Sequence, residues 1–354
     1  MFSTYRKEDV VILLKDISGM VTPLAAKERE VFIQKGTHYS EMLPLEYEPS
    51  PKYMEVYEDA LRLFSGMTAD AAAKVAEKIW AEKGQDVVLV SLARAGTSIG
   101  VLLKRYLRRK YGAEVAHYTI SIIRGRGIDH NAMRYILDRH KPEMIQFVDG
   151  WTGKGAIQRE VSDAMKAYPG VDPGLAVLSD PACIAGKCGT YEDFLIASSC
   201  LNSTVSGLLS RTFLRSDLIG PNDYHGAAFY EELREKDLTY QFIGAVEEKF
   251  RFDLDSGAAE TGSDGIPHRS GMDEVYEIGR HFGIPDINLI KPGIGEATRV
   301  LLRRMPWKLL VHSLHDELHL AHLYQLAKEK GIEVVEYPLH NYKACGLIQA
   351  MGEC

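Results

Sequence analysis

The stretch that most restricts this chain begins with the apolar run Met144-Ile-Gln-Phe-Val148, which ends in Asp149. The turn Gly150-Trp-Thr-Gly-Lys-Gly155 follows at once, and a helical pattern opens at Ala156. A strand that turns directly into a helix is half of a β–α–β unit. Such units build parallel sheets with helices on both faces. The same grammar recurs along the chain. Asp86 to Ser91 reads as a buried strand, Ala93 to Ser98 as a turn, and Ile99 to Lys110 as a helix. Val115 to Ile123 and Leu175 to Leu178 read as further strands, with helices at Asp129 to His140 and Ala156 to Ala167. Tyr53 to Lys83 reads as two helices, Ala-rich from Ala69 onward.

This alternation sets the domain plan. Residues 1–50 form an extension packed on the core, with the apolar run Val10 to Leu14, and break at Pro49 and Pro51. Residues 51–252 form the main α/β domain. Residues 253–271 are rich in Gly, Ser and acid and read as a linker. Residues 272–354 restart the pattern as a smaller α/β domain. Its helices are expected at Met272 to Phe282, Glu296 to Arg304 and Glu317 to Lys330. Its strands are expected at Ile287 to Ile290, Lys308 to Val311 and Ile332 to Val335.

Composition excludes several classes. With 354 residues, 45% hydrophobic and 26% charged, the chain can bury a large core and is not disordered. Its net charge of -7 gives no general affinity for nucleic acid, so any such contact must be local. No run is long and apolar enough to span a bilayer, and no apolar signal-peptide core precedes Glu8 and Asp9. The 5 scattered cysteines are no disulfide framework, which points to a reducing cytoplasm. Cys183 and Cys188 lack a second ligand pair. His315, His319 and His322 share a helical face without a thiol or second carboxylate partner. No metal site is read from either group; the histidines read as a surface or as a face for a homo-oligomer.

The turn after Asp149 carries the clearest chemistry. Glycines let backbone approach a ligand, and free amides at a helix start point at an anion. Thr152 adds a hydroxyl and Lys154 a cation, while Asp149 is placed for ribose hydroxyls or magnesium. The same glycines would also serve a plain strand-to-helix connection. Val148 to Gly155 resembles the diphosphoribosyl-binding motif of type I phosphoribosyltransferases. Ser91-Leu-Ala-Arg-Ala-Gly-Thr-Ser98 is similar to their pyrophosphate loop, and Ile122-Ile-Arg-Gly-Arg-Gly-Ile128 lies where their basic loop leaves a strand. The usual second acid is replaced by Gly150, and the turn is shorter. The resemblance implies a type I phosphoribosyltransferase-like fold and a phosphoribosyl diphosphate or nucleotide-type ligand with magnesium. Arg94, Gly96 and Thr97 would face the diphosphate, with Arg124 and Arg126 of the basic loop as further phosphate- or ribose-binding residues. Thr152, Gly153, Lys154 and Gly155 would cradle the ribose phosphate, and Asp149, the candidate catalytic residue, would hold the ribose or metal. The arginines read equally well as solvated surface charges.

The segment Ser199-Cys-Leu-Asn-Ser-Thr-Val-Ser-Gly207, running on to Arg211-Thr212 and Tyr224-His-Gly-Ala227, is crowded with small polar side chains. It resembles the StiP-type proteins, phosphoribosyltransferase-like proteins of bacterial stress and tellurium-resistance gene clusters that are commonly named cysteine proteases. The resemblance covers most of residues 30–250. It implies Cys200 as a nucleophile and His225 as its base, oriented by Asp223 or Asn202. A buried Cys acting as a small hydrophobe fits the same residues.

In the last domain, Pro292-Gly-Ile-Gly-Glu-Ala-Thr-Arg299 opens a helix after a strand. It is similar to the RNA-contacting loop of L7Ae and Pelota-type domains, with Gly295 where those carry Asn. The resemblance implies structured RNA as a partner, through Gly293, Glu296, Thr298, Arg299 and Arg303. Three readings therefore stand: a phosphoribosyltransferase-like protein of a stress response, a cysteine peptidase, and a non-catalytic RNA-binding or regulatory protein.

Overall fold

A computed structural model describes residues 2–46, 48–253 and 269–348. Most of the expected linker and the last residues of the chain lie outside the described residues. In chain order the first part contains β1 (Val11–Ile12), β2 (Lys15–Asp16), α1 (Ala26–Gln34), α2 (Pro51–Lys83), β3 (Val88–Ala93) and α3 (Ala95–Tyr111). Then come β4 (Ala116–Ile123), β5 (Gly127–Ile128), α4 (His130–Leu137), β6 (Ile145–Val148), α5 (Ala156–Met165), β7 (Leu175–Ser179), β8 (Lys187–Thr190), β9 (Gly226–Ala227) and α6 (Thr239–Glu247). The second part holds α7 (Gly271–Phe282), β10 (Ile290–Pro292), α8 (Ile294–Arg303), β11 (Pro306–Val311), α9 (Glu317–Lys330), β12 (Glu333–Glu336) and β13 (Ala344–Ile348).

The α/β class expected from the sequence is the one observed. The main sheet runs β1-β4-β3-β6-β7-β8 with every pair on that path parallel, and β5 folds back antiparallel on β4. Successive strand residues face opposite sides. In β3, Leu89 therefore joins the apolar cluster under α2, α3 and α6. Val88, Val90 and Leu92 join the cluster under α4 and α5.

The stretch expected as two helices is one helix of 33 residues. Ser50 caps it by accepting from the Tyr53 amide, and Pro51 occupies its first turn, where a missing N–H removes no intrahelical bond. No proline interrupts it, and Gly66 alone is too weak a breaker. Its Ala-rich face lies flat on the sheet. A Cβ at Gly189 of β8 would strike the backbone of Ala71, so small residues on both sides set this spacing.

The second sheet runs β10-β13-β11-β12, with β13 antiparallel to both neighbours and β11 parallel to β12. Helix α7 packs on one face through Val275 and Ile278. On the other face Ile294, Ala297, Leu320 and Leu323 of α8 and α9 belong to the same apolar cluster as Phe64, Phe194 and Ile196 of the first domain. The two sequence domains thus share a core. Among the described residues, no helix is long and apolar enough to cross a membrane.

Candidate ligand site between the two domains

The chain leaves β3 for β4 on one side, then returns to place β6 on the other side of β3. At such a reversal the loops after the two strands diverge and leave a crevice beyond their carboxyl ends. Here those loops are Arg94–Ala95, leading into α3, and Asp149–Gly155, leading into α5. The connection after β3 is tight: the Ala93–Arg94 peptide is cis, and a Cβ at Gly96 would collide with the Val148 carbonyl. A cavity of about 380 Å³ opens at this point. Its first-domain wall includes Leu92 to Ala95, Ile122, Asp149, Ile157 and Asn202; its second-domain wall is Lys291, Glu296, Arg299, Val300 and Arg304.

The cavity is basic. Arg94 reaches it with its Nη1 anchored on the Leu209 carbonyl at 2.9 Å. Arg299 donates from Nε to the Ser199 carbonyl at 2.9 Å and from Nη1 to Glu296 at 3.0 Å, and its guanidinium lies over the Trp151 ring. Glu296 is thereby balanced within its own helix. Lys291 is held below the ordinary lysine range by burial first, then by Arg124 and Arg304 nearby. Asp149 is the remaining acid on the wall. Burial pushes its carboxyl up to about 6, against the Gly150 amide and the Arg299 charge, which both favour ionisation. The first turn of α3, a helix of 17 residues, borders the same space through Ala95 and brings its positive end to the wall.

Of the residues expected at a phosphate site, Arg94 and Asp149 line the cavity, and several others have different employment. Thr97 of α3 is fully buried, its hydroxyl 2.8 Å from that of Thr119 of β4. The Thr152 hydroxyl donates to Asp180 at 2.5 Å and accepts from the Ala182 amide. Lys154 points into the second domain and donates to the carbonyls of Ile287 at 2.6 Å and Ile290 at 3.1 Å. Its ammonium is pushed down to about 8 by burial, with Lys291 and Arg124 adding repulsion. The Gly153 carbonyl accepts from the Tyr342 hydroxyl at 2.6 Å, and Gly155 takes φ of 70° as the cap of α5. Arg126 pairs with Glu41 of the extension at 2.6 Å. Arg124 is exposed, two residues beyond Ile122 of the cavity wall, and its charge opposes those of Lys154 and Lys291. The turn after Asp149 is thus mainly a docking element for the second domain. Lys291 had no signal in sequence, and only docking brings it together with Arg304 and with Asn202, which the sequence offered as an orienter of His225.

The expected thiol pair has other surroundings. Cys200 is 0% exposed, within the apolar cluster that includes Phe194, Leu201 and Val205. His225 places Nδ1 2.8 Å from the Ser121 hydroxyl, and its own amide donates to Asp129 at 2.5 Å. Burial lowers its imidazole below the ordinary range, against the attraction of Asp129. Asp223 accepts from Lys15 at 2.6 Å instead of orienting an imidazole. Asn202 is the member of this group that reaches the cavity.

The loop expected to meet RNA faces the first domain. The Asp193 carboxylate accepts the Ile294 amide at the start of α8, at 3.0 and 3.1 Å, and the Lys343 amide at 2.9 Å. Gly295 abuts the Ser199 side chain. Thr298 donates to the Ile294 carbonyl and lies 2.9 Å from His322 Nε2. Gly293 donates to Ala344, and Glu296 and Arg299 face the cavity. The side chain of Arg303 lies outside the described residues. His319 joins Asp316 at 2.9 Å and stacks on Phe64 of the first domain, so it serves the join between domains, while His322 is held by Thr298 within the second.

Comparison with known proteins accords with this two-part plan. A Pelota RNA-binding domain matches residues 269–350. Among solved structures the chain is similar to a Bacillus anthracis hypoxanthine-guanine phosphoribosyltransferase, with 12% identity over 41% of this chain and 82% of that one, at a TM-score of 0.26. It is also similar to a Helicobacter pylori xanthine-guanine-hypoxanthine phosphoribosyltransferase, with 16% identity over 33% and 72% of the two chains, at a TM-score of 0.23. A protein from Acinetobacter baylyi named cysteine protease StiP is 36% identical over 99% of this chain and 94% of its own length. The family described as tellurite-like stress resistance cysteine protease StiP matches residues 3–247, and this chain belongs to that StiP family.

Proposed function

We propose that the cavity between the domains binds a phosphorylated ribose of the phosphoribosyl diphosphate or nucleotide type. The observation that carries this reading is the basic cavity at the reversal of the sheet, with Asp149 and Arg94 on one wall and Lys291, Arg299 and Arg304 on the other. In this reading Asp149 accepts the ribose hydroxyls. Arg94 and the first turn of α3 hold the diphosphate, and Arg299 closes over it. If the ligand is a donor, positive charge builds at the anomeric carbon as diphosphate leaves. Arg94 and Arg299 then favour departure by taking up the growing negative charge. Magnesium keeps several waters and binds through one or two carboxylates plus phosphate oxygens. Asp149 suits that role as the protein's carboxylate, and the ion would neutralise the diphosphate. A role in bacterial stress resistance accords with the family description.

Calorimetric titration with phosphoribosyl diphosphate, with and without magnesium, tests the reading. Binding should weaken in Asp149→Asn and Arg94→Gln. Absence of binding to the wild-type chain at millimolar ligand sinks it.

A cysteine peptidase is the second reading, favoured by the name of the Acinetobacter relative. It requires Cys200, 0% exposed in this structure, to become accessible to a peptide. Under native conditions the half-buried Cys183 should react with iodoacetamide before Cys200. Fastest labelling at Cys200, slowed by His225→Ala, would favour the peptidase instead.

A further inference from the structure

We propose that the ribose phosphate this site takes is the phosphorylated end of a single RNA strand, drawn in between the two domains and gripped at the rim by Arg124, Lys291 and Arg304. The inference rests on the ribose-phosphate reading and names its substrate class.

Three observations converge on it. First, the RNA-type loop is not open to a folded RNA. The amide at the head of α8 is taken by the Asp193 carboxylate, itself 5% exposed, and Gly295 lies against Ser199. A kinked duplex could reach that loop only by prising the domains apart, through a shared apolar core. Second, Lys291, Arg299 and Arg304 face the same space as Arg94 and Asp149. The basic part of the second domain that flanks this loop is therefore the wall of the ribose site. At about 380 Å³ the cavity suits one nucleotide, in the lower part of the usual range for small-ligand pockets, and excludes a duplex.

Third, the cations extend beyond what the floor of the site needs. Arg304 is exposed and lines the cavity with Lys291, and Arg124 is exposed two residues beyond Ile122, which also lines it. A free small ligand is held by Arg94, Arg299 and Asp149 at the floor and wall. The rim residues instead meet the next phosphates of a chain whose end lies inside. Asp149 accepting a ribose hydroxyl would separate RNA from DNA, since that hydroxyl is what marks RNA.

Fluorescence anisotropy on the intact chain tests this with four probes. They are a short single-stranded oligoribonucleotide with a terminal phosphate, the same strand without it, its deoxy counterpart, and a closed RNA circle lacking ends. The phosphorylated RNA strand should bind best, weaken with salt, and be displaced by phosphoribosyl diphosphate. Arg304→Gln, at an exposed position that the fold does not depend on, should lower its affinity about ten-fold, the size of a lost charge-assisted contact. Arg124→Gln should act in the same direction. Equal binding of the circle, RNA binding that persists under saturating phosphoribosyl diphosphate, or indifference to both rim variants would overturn the inference and leave the ribose-phosphate reading standing. So would phosphoribosyl diphosphate binding with no RNA retained at low salt. If neither ligand binds, both readings fall together.

Discussion

At the residue scale the informative group is Asp149, because burial rather than a neighbouring charge governs its protonation. Its carboxyl titrates at about 6, so a ligand that needs the ionised form should bind more tightly as pH rises through that value. Asp149→Asn should weaken binding at neutral pH and flatten this pH dependence; titration calorimetry on either side of about pH 6 reads both effects. Asp193 is also pushed up to about 6, burial outweighing the amides of Ile294 and Lys343. A folded state that holds the proton more tightly than the unfolded chain gains from it below the ordinary carboxylate range. That gain disappears as pH rises through about 6. Removing the carboxylate leaves the Ile294 and Lys343 amides without this acceptor. Asp193→Ala should therefore destabilise the chain by about 1–3 kcal/mol, measured by denaturant midpoint. Sequence could mark Asp149 and Arg94, because a strand end and a Gly-flanked turn fix where each side chain emerges. It could not mark the fate of Thr152 or Lys154. A hydroxyl and an ammonium beside glycines suit a phosphate and a neighbouring carbonyl equally well, and only docking chose the carbonyl.

Elements were legible where apolar periodicity was long, as in β3, β4, α3 and α9. Short strands carrying polar or small residues, such as Lys187-Cys-Gly-Thr190 of β8, gave no pattern of their own; pairing with β7 makes them strands. The expected division over Tyr53 to Lys83 fails because the Ala-rich part from Ala69 onward continues the same helix. Two glycine variants separate propensity from packing here. At Gly66 an added Cβ meets nothing within 4 Å, so Gly66→Ala should stabilise by about 0.5–1 kcal/mol through helix propensity. At Gly189 the Cβ meets the backbone of α2, so Gly189→Ala should destabilise by about 1–3 kcal/mol through overpacking. Thermal melts of the two variants should move in opposite directions.

For the whole molecule, the decisive feature is that the second domain is seated on the ligand edge of the first. A Gly/Ser/acid stretch between two patterned regions reads as a spacer, and taken alone it suggests that residues 272–354 fold by themselves. The shared cluster around Phe64, Phe194, Leu320 and Leu323 argues otherwise. A chain ending at residue 253 should expose that cluster, melt at lower temperature and lose the Lys291, Arg299 and Arg304 wall. Docking of this kind has no one-dimensional signature, because each partner surface is an ordinary amphipathic face until the other covers it.

The central claim is that this composite cavity holds a phosphorylated ribose, and calorimetric titration of the intact chain with phosphoribosyl diphosphate and magnesium tests it most directly. The account predicts saturable binding at one site per chain, weakened about ten-fold or more by Arg94→Gln on one wall and by Arg299→Gln on the other. No heat of binding at millimolar ligand, or binding that both variants leave unchanged, would contradict it.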